Sequence, residues 1–339
     1  MNLIKKWAFL PLFTLLFASS AIHAVTAHRA PSSTLQNGDA VYELADPKAY
    51  SAIYVVSDVH GMSAEIRKAL GAAKVIDSSA HWIAGNSLLL ILGDSIDKGP
   101  DTIGVIDFWR ALAPQAADAG GGVVHLLGNH EAELLADPSS NLTKVLSQEL
   151  QSKNLSVNDL IDPSTPRGAF MHSEAIAGRV GNWFFCHAGL YPSMTWADFK
   201  AKASQELSSG SYGDPFVLGS DSVLEAKNWW KKQSARDALL SQLNQNGMTG
   251  VVQGHQPAAY NILNRVGATQ GGHFVRIDCG ASPPAGSNPI QILKFPNPEE
   301  LTTHQVPEMI VISDDGSSAP IEVTELVGDV KKSKDPENN

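Results

Sequence analysis

Two cysteines in 339 residues, Cys186 and Cys279, are too few for a disulfide framework to hold the chain. Each lies in an apolar, strand-like run, so a pair formed in an oxidising compartment and two buried free thiols are both open at this stage. Basic charge is also scarce: 25 Lys and Arg stand against 35 Asp and Glu, a formal net charge of −10. That balance excludes a surface built to coat nucleic acid, which needs a basic stripe to displace counterions. An anionic ligand would have to find positive charge concentrated at one place. After residue 27 no apolar run is long enough to span a bilayer. There is neither an internal repeat nor a low-complexity tract.

The first 27 residues follow the order of a secretory signal: Lys5 and Lys6, an apolar run from Trp7 to Phe17, then small residues around Ala21 to Ala27. A membrane anchor needs ~20 apolar residues, whereas this run contains Pro11 and gives way to Ser19, Ser20 and His23. Export to the periplasm or the medium is expected, with cleavage near Ala24 or Ala27 and no stable membrane association afterwards. Residues 28–51, rich in small and polar side chains, read as a loose arm. The polar residues 328–339 read as a disordered tail. Between them, 52–327 read as one folded unit.

Within that unit one grammar recurs: a short β-rich apolar run breaks into Gly, Asp, Asn or His. It appears at Ala52–Gly61, Leu88–Asp94, Val123–Glu131, Asn182–Gly189 and Gly250–His255. Continuous apolar runs of this length suit strands buried on both faces. Helical patterns lie between them, at Ala64–Ala73 and Thr102–Leu112. The fold class is therefore α/β, with helices covering sheet faces. Two longer intervals, 132–181 and 193–247, carry Leu and Trp at helical spacing and read as helical inserts walling the site. Pro289–Phe295, Met309–Ser313 and Ile321–Leu326 read as strands of a second sheet.

Ligands in such folds gather at the carboxyl ends of strands, where loops leave a rigid platform. Asp58 and His60 are two apart, so strand geometry carried past Val56 would put both side chains on one side. Asp94 ends a second run, and its two oxygens can bridge two cations. Asn129, His187 and His255 add oxygen and nitrogen donors. A mixed set of this kind suits manganese, iron or zinc better than calcium, which prefers oxygen alone. Two cations about 3.5–4 Å apart would supply a hydroxide nucleophile and clamp the oxygens of an in-line displacement at phosphorus.

Asp58-Val-His60-Gly, Gly93-Asp-Ser-Ile-Asp97-Lys, Gly128-Asn-His-Glu131, His187-Ala-Gly and Gly254-His255 together resemble the ordered motifs of calcineurin-like metallophosphoesterases. More narrowly they resemble the phosphoprotein phosphatase branch and its bacterial Shewanella-like members, which include cold-active tyrosine phosphatases. The resemblance spans about Ala52 to Gly280. It implies two packed mixed β-sheets flanked by helices and a dimetal phosphatase acting on phosphorylated protein or a small phosphate ester. It implies one metal on Asp58, His60 and Asp94, and a second on Asp94, Asn129, His187 and His255. His130 would be the general acid and Asp97 the group that orients it. Glu131 would support from behind.

Two positions depart from the pattern. Lys98 stands where the phosphoprotein phosphatases usually carry an arginine that grips phosphate, which keeps the charge and loses the bidentate fork. The family's second phosphate-binding arginine has its local match in Trp229-Trp-Lys231-Lys, with Arg236 nearby, so Lys231 and Arg236 are the candidates for that contact. A dinucleoside-polyphosphate hydrolase or phosphodiesterase would use the same scaffold, and a non-catalytic binding module would require broken ligand sets. His81, His125, His172, His273 and His304 read as surface or core residues, and Trp229 and Trp230 as packing.

Overall fold

Each of the five apolar runs is a strand whose residues alternate between two cores, and that alternation builds the molecule. The computed structural model describes residues 39–331. The expected signal segment, residues 28–38 of the arm and residues 332–339 of the tail lie outside them. The strands are β1 Val41–Leu44, β2 Ile53–Val56, β3 Leu88–Ile91, β4 Gly122–His125, β5 Ala177–Val180, β6 Trp183–Cys186, β7 Gly250–Gln253, β8 Gly267–Thr269, β9 Phe274–Arg276, β10 Ile292–Phe295, β11 Ile310–Ile312 and β12 Ser318–Pro320. They form two mixed sheets, ordered β1-β5-β6-β7-β9-β8 and β12-β11-β10-β2-β3-β4.

Ile53, Val55, Leu88 and Leu90 from one sheet share a buried cluster with Trp183, Phe185, Val252 and Val275 from the other. The intervening residues Tyr54, Val56, Leu89 and Ile91 pack outward against Ile66 and Leu70 of α1 (Ser63–Ala72) and Phe108, Trp109 and Leu112 of α2 (Thr102–Asp118). On the opposite side, Phe184, Val251 and Phe274 meet further helices. The result is helix, sheet, sheet, helix, with both faces of both sheets covered.

The interval 132–181 holds α3 (Asn129–Ala136), α4 (Pro138–Asn141), α5 (Lys144–Ser152), α6 (Asn158–Ile161) and α7 (Pro166–Met171), and then β5. The second interval holds α8 (Trp196–Ser208), α9 (Pro215–Leu218) and α10 (Gln233–Gln245). Phe199 and Ala203 of α8 and Leu239 and Leu243 of α10 supply the outer cover of the first sheet.

Four expectations are corrected. The arm is not loose throughout, because Val41–Leu44 pairs in parallel with β5 and buries Tyr42 and Leu44. The late strands do not form a sheet of their own: β10 pairs antiparallel with β2, and β11 and β12 follow, extending the sheet that carries the first three runs. Ile321–Leu326 is not a strand. It meets β8 at one point, through Ala268 N–H to the Glu322 carbonyl (2.9 Å) and Thr324 N–H to the Ala268 carbonyl (2.8 Å). The start of the tail is held, since Asp329 accepts from Lys232 Nζ at 2.8 Å and the Val330 N–H donates to the Lys231 carbonyl at 2.7 Å. Both cysteines are buried free thiols, and burial pushes each up to about 12.

Candidate metal centre and active site

The parallel strands β2, β3 and β4 in one sheet, and β6 and β7 in the other, deliver their C-terminal loops to one place. The chain leaves those strands in a conformation that L-residues rarely adopt. Asp58 (φ 54°), His60 (46°), Asp94 (53°), Asp97 (69°), Lys98 (60°) and His255 (69°) are all left-handed. Each such residue costs about 1–3 kcal/mol and persists only where surrounding bonds over-determine it. Asp58 and His60 therefore do not meet the site by continued strand alternation, because β2 ends at Val56. Backbone bonds to the neighbouring loop place them: Asp58 N–H to the Gly93 carbonyl (3.1 Å), His60 N–H to Asp94 (2.8 Å) and Gly61 N–H to Ser95 (2.8 Å). Two glycines allow the approach. A Cβ on Gly93 would strike the backbone of Gly128, and one on Gly254 would strike Ser57 and Asp58 across the two sheets.

The donor atoms converge. His187 Nε2 lies 3.3 Å from Asp94 Oδ2, 3.1 Å from Asn129 Oδ1 and 3.1 Å from His255 Nδ1. His60 Nε2 lies 3.5 Å from Asp94 Oδ2 and 3.9 Å from Asp58 Oδ1. Both rings are oriented from behind, His60 Nδ1 on the Ile96 carbonyl (3.0 Å) and His187 Nδ1 on the Leu92 carbonyl (2.7 Å). These second contacts leave each Nε2 facing inward, as metal-ligating histidines require. The Asp58 carboxylate accepts the His255 N–H at 3.0 Å, joining the two sheets at the site.

Asp, Asn and neutral His present lone pairs, and packed this closely they repel unless positive charge lies among them. In the chain alone that charge is a proton. Burial works against a charged His187, yet the carboxylate of Asp94 pushes it up to about 10. Burial would raise Asp94, but His187 and His130 hold it well below the usual carboxylate range. Burial and then the His187 charge keep His255 well below its ordinary value, and His255 Nε2 is buried with no partner. Burial also lifts Asp58 to about 6. Asp94, His187 and His255 form one group able to grip a cation and His60, Asp94 and His130 another, sharing Asp94. The donor set fits two divalent ions.

His130 differs from the rest. Its Nδ1 is 3.1 Å from Asp97 Oδ2, its Nε2 is 3.9 Å from Asp94 Oδ2, and its side chain is 17% exposed against 4% or less for His60 and His187. Burial opposes its charge, but Asp94 and Asp97 push it up to about 9. In the metal-free chain this favours a protonated ring at the open side of the cluster.

Behind the site stands Glu131, whose weight the motif alone does not disclose. Its carboxylate accepts four backbone N–H bonds, from Asp94 (2.8 Å), Ser95 (2.7 Å), Ile96 (3.1 Å) and Gly128 (2.9 Å). Burial pushes it up to about 7, and these N–H donors pull the other way. Ser95 in turn bonds His125 Nε2 (2.7 Å) and the Trp109 indole N–H (3.0 Å), and His125 Nδ1 lies 2.9 Å from Glu174. His125 is thus a core residue, held neutral by burial at about 4. Arg276, wholly buried, donates to the carbonyls of Pro257, Asp278 (2.6 Å) and Arg265, pinning the loop that follows His255.

Of the basic candidates only Lys98 is at the centre, its Nζ 3.3 Å from His60 Nε2. Arg236 is buried and donates to the Trp230 (2.6 Å), Leu326 (3.1 Å) and Gly328 (2.7 Å) carbonyls, so it is a structural clamp and not a phosphate contact. The ammonium of Lys231 lies 5.3 Å from the Trp230 ring centroid rather than on the donor cluster. Lys227, passed over in the sequence, is the exposed cation whose charge reaches His255 together with that of Lys98. Arg167 pairs with Asp107 at 2.6 Å, and Arg179 donates to Gly181, Asn246 and Gly247 carbonyls.

The family model for calcineurin-like phosphoesterases matches residues 51–274. The chain belongs to that family. Members are phosphoester hydrolases that depend on two metals, which agrees with the shared Asp94. Among curated proteins, the chain is 30% identical over 99 residues to Shewanella-like protein phosphatase 2 of Arabidopsis thaliana, covering 29% of this chain and 25% of that one. It is 27% identical over 183 residues to a symmetrical bis(5'-nucleosyl)-tetraphosphatase of Methylococcus capsulatus, covering 51% of this chain and 59% of that one. The chain thus spans a quarter of one relative and somewhat over half of the other. Its fold is like that of a cold-active protein-tyrosine phosphatase of a Shewanella species, with a TM-score of 0.67 at 20% identity, covering 83% of this chain and 82% of that one.

Two outcomes follow from this geometry. Glu131→Gln replaces one acceptor oxygen by a donor facing backbone N–H groups, and hydrogen bonds to a charged group contribute about 1.5–3 kcal/mol each. A denaturant melt should show a loss of at least that size, with reduced metal uptake in equilibrium dialysis; wild-type values for both would refute the anchoring role. Metal loading must also displace the His187 proton, because the ring binds metal only when neutral. Adding manganese to the metal-free protein at neutral pH in weak buffer should therefore release protons, and apparent affinity should rise with pH. An indicator dye that shows no release would count against His187 as a ligand.

Proposed function

We propose that this chain is a two-metal phosphomonoesterase that acts on phosphorylated Tyr, Ser or Thr in proteins or on small aryl phosphates. The observation that carries this reading is His130, oriented by Asp97 and exposed beside the donor cluster. A monoester whose leaving oxygen departs as alkoxide or phenoxide needs a proton at that moment, and a positioned imidazolium supplies it.

Asp58, His60 and Asp94 would hold one ion; Asp94, Asn129, His187 and His255 would hold the other. Bound there, manganese, iron or zinc would activate water and neutralise the phosphoryl oxygens. Asp97 keeps the His130 ring turned and stabilises its charged form. Lys98 attracts the phosphate dianion as a point charge, without the bidentate fork that arginine would provide, so it fixes its position more than its orientation. The resemblance of the fold to a protein-tyrosine phosphatase and the Arabidopsis relative's name support a phosphoprotein substrate. The Methylococcus relative's name supports the second reading, hydrolysis of a dinucleoside polyphosphate on the same metals.

Protein loaded with two equivalents of each metal, assayed on a phosphotyrosine peptide, a phosphoserine peptide and diadenosine tetraphosphate, separates the two. Faster turnover of the peptides is expected; preference for the dinucleotide would replace the first reading by the second, and no turnover of any would remove both. Asp94→Asn should lower metal content and rate together. His130→Ala should lower the rate by about 10²–10⁴-fold with metal retained, and equal metal loss in both variants would refute these roles.

Export belongs to the same proposal and rests on residues 1–27. Protein recovered from the periplasm or medium should begin just after Ala24 or Ala27, as N-terminal sequencing reads. An uncut chain confined to the cytosol would overturn it.

A further inference from the structure

The pair formed by His130 and Asp97 has a third member, contributed by the helical insert. Asp97 is buried, 3% exposed at its side chain, and its two oxygens have different partners. Oδ2 faces His130 Nδ1 at 3.1 Å, and Oδ1 accepts a short hydrogen bond from the hydroxyl of Thr143. Thr143 is the N-cap of α5, and its oxygen accepts the Leu146 N–H at 3.2 Å. That capping bond occupies a lone pair and leaves the hydroxyl proton for Asp97.

The same helix grips the next residues of the loop. Glu149 accepts from the Thr102 and Ile103 N–H groups, each at 2.9 Å, and Lys153 reaches Asp101 at 3.1 Å. Thr102 closes the turn by accepting the Asp97 N–H at 3.1 Å. Beneath them Leu146 and Leu150 of α5 are buried against Ile96, Ile103 and Ile106. The insert is thus fastened on both sides of Asp97, and Thr143 brings its hydroxyl to the carboxylate itself.

We infer that Thr143 is a positioning residue for the proton-donating step: it fixes the rotamer of Asp97 that presents Oδ2 to His130, so the helical insert governs leaving-group protonation. This rests on the phosphomonoesterase reading. A substitution that only loosens the fold slows every ester alike. One that misplaces the acid slows those whose leaving oxygen needs the proton, and spares those whose leaving group departs readily as an anion.

The test compares kcat/KM on phenyl phosphate, a poor leaving group, and para-nitrophenyl phosphate, a good one, in metal-loaded protein with metal content measured. Thr143→Val removes both the cap and the donor. Thr143→Gly caps the helix about as well as Thr but has no side-chain proton to give, and Thr143→Ser keeps both. In the Val and Gly variants the phenyl ester should slow by about tenfold or more and the nitrophenyl ester by no more than about threefold, a fraction of the whole acid-base contribution. The Ser variant should keep the wild-type ratio. If Thr143→Val does not fold, the Gly and Ser variants decide the matter. Equal slowing of both esters, or a wild-type ratio in Thr143→Gly, overturns the role of Thr143 while leaving the phosphatase reading in place. If wild-type protein hydrolyses neither ester, it is that reading which fails, and the inference falls with it.

Discussion

The site depends first on one buried carboxylate. Glu131 gathers the N–H groups of Asp94, Ser95, Ile96 and Gly128, which belong to the loops after β3 and β4. Without a common acceptor, those donors would be orphaned in the interior and the left-handed turn at Asp94 would lose the bonds on its N–H side. With it, two loops become one rigid piece that offers the Asp94 carboxylate forward. The N-terminus of α3 assists, since the His130 N–H donates to Asp94 Oδ1 at 3.2 Å, favouring the charged form. His60, His187 and His130 then all face Asp94 Oδ2, at 3.5, 3.3 and 3.9 Å.

The second requirement is that two sheets end at one point. Each sheet contributes only part of the donor set: Asp58, His60, Asp94 and Asn129 follow strands of one, His187 and His255 strands of the other. The apolar cluster between the sheets keeps them in register, and the polar links are the Asp58 contact with the His255 N–H and the His187 contact with the Leu92 carbonyl. Concentrating lone pairs in this way is unfavourable in itself, and the attraction between a protonated His187 and Asp94 offsets part of that cost in the metal-free chain. A cation relieves it, which is why the cluster is a metal centre rather than a packing accident.

Much of this was legible beforehand because the signal is local. Buried strands need continuous apolar runs, and their ends need turn-forming or ligating residues, so Asp58, His60, Asp94, Asn129, His187 and His255 stood out by position and type together. The arm was misread because β1 is only four residues long, and its alternation of buried Tyr42 and Leu44 with more exposed Val41 and Glu43 is too short to signal a strand. Arg236 was misassigned for a related reason. An arginine looks the same in sequence whether it meets phosphate or three carbonyls, and only the path of residues 326–328 across its guanidinium decides between them.

The sequence by itself determined the fold class, the five strand ends and the candidate donor residues, since these follow from hydrophobic period and side-chain chemistry within a few residues. Tertiary structure alone decided which cations reach the centre, how Glu131 carries the turn and why Thr143 touches Asp97. Those contacts join residues 35 or more positions apart, apart from the bond that Glu131 makes within its own helix start. Their energy comes from excluding water around paired polar groups, and that exclusion exists only once the insert, the loops and both sheets have closed over one another.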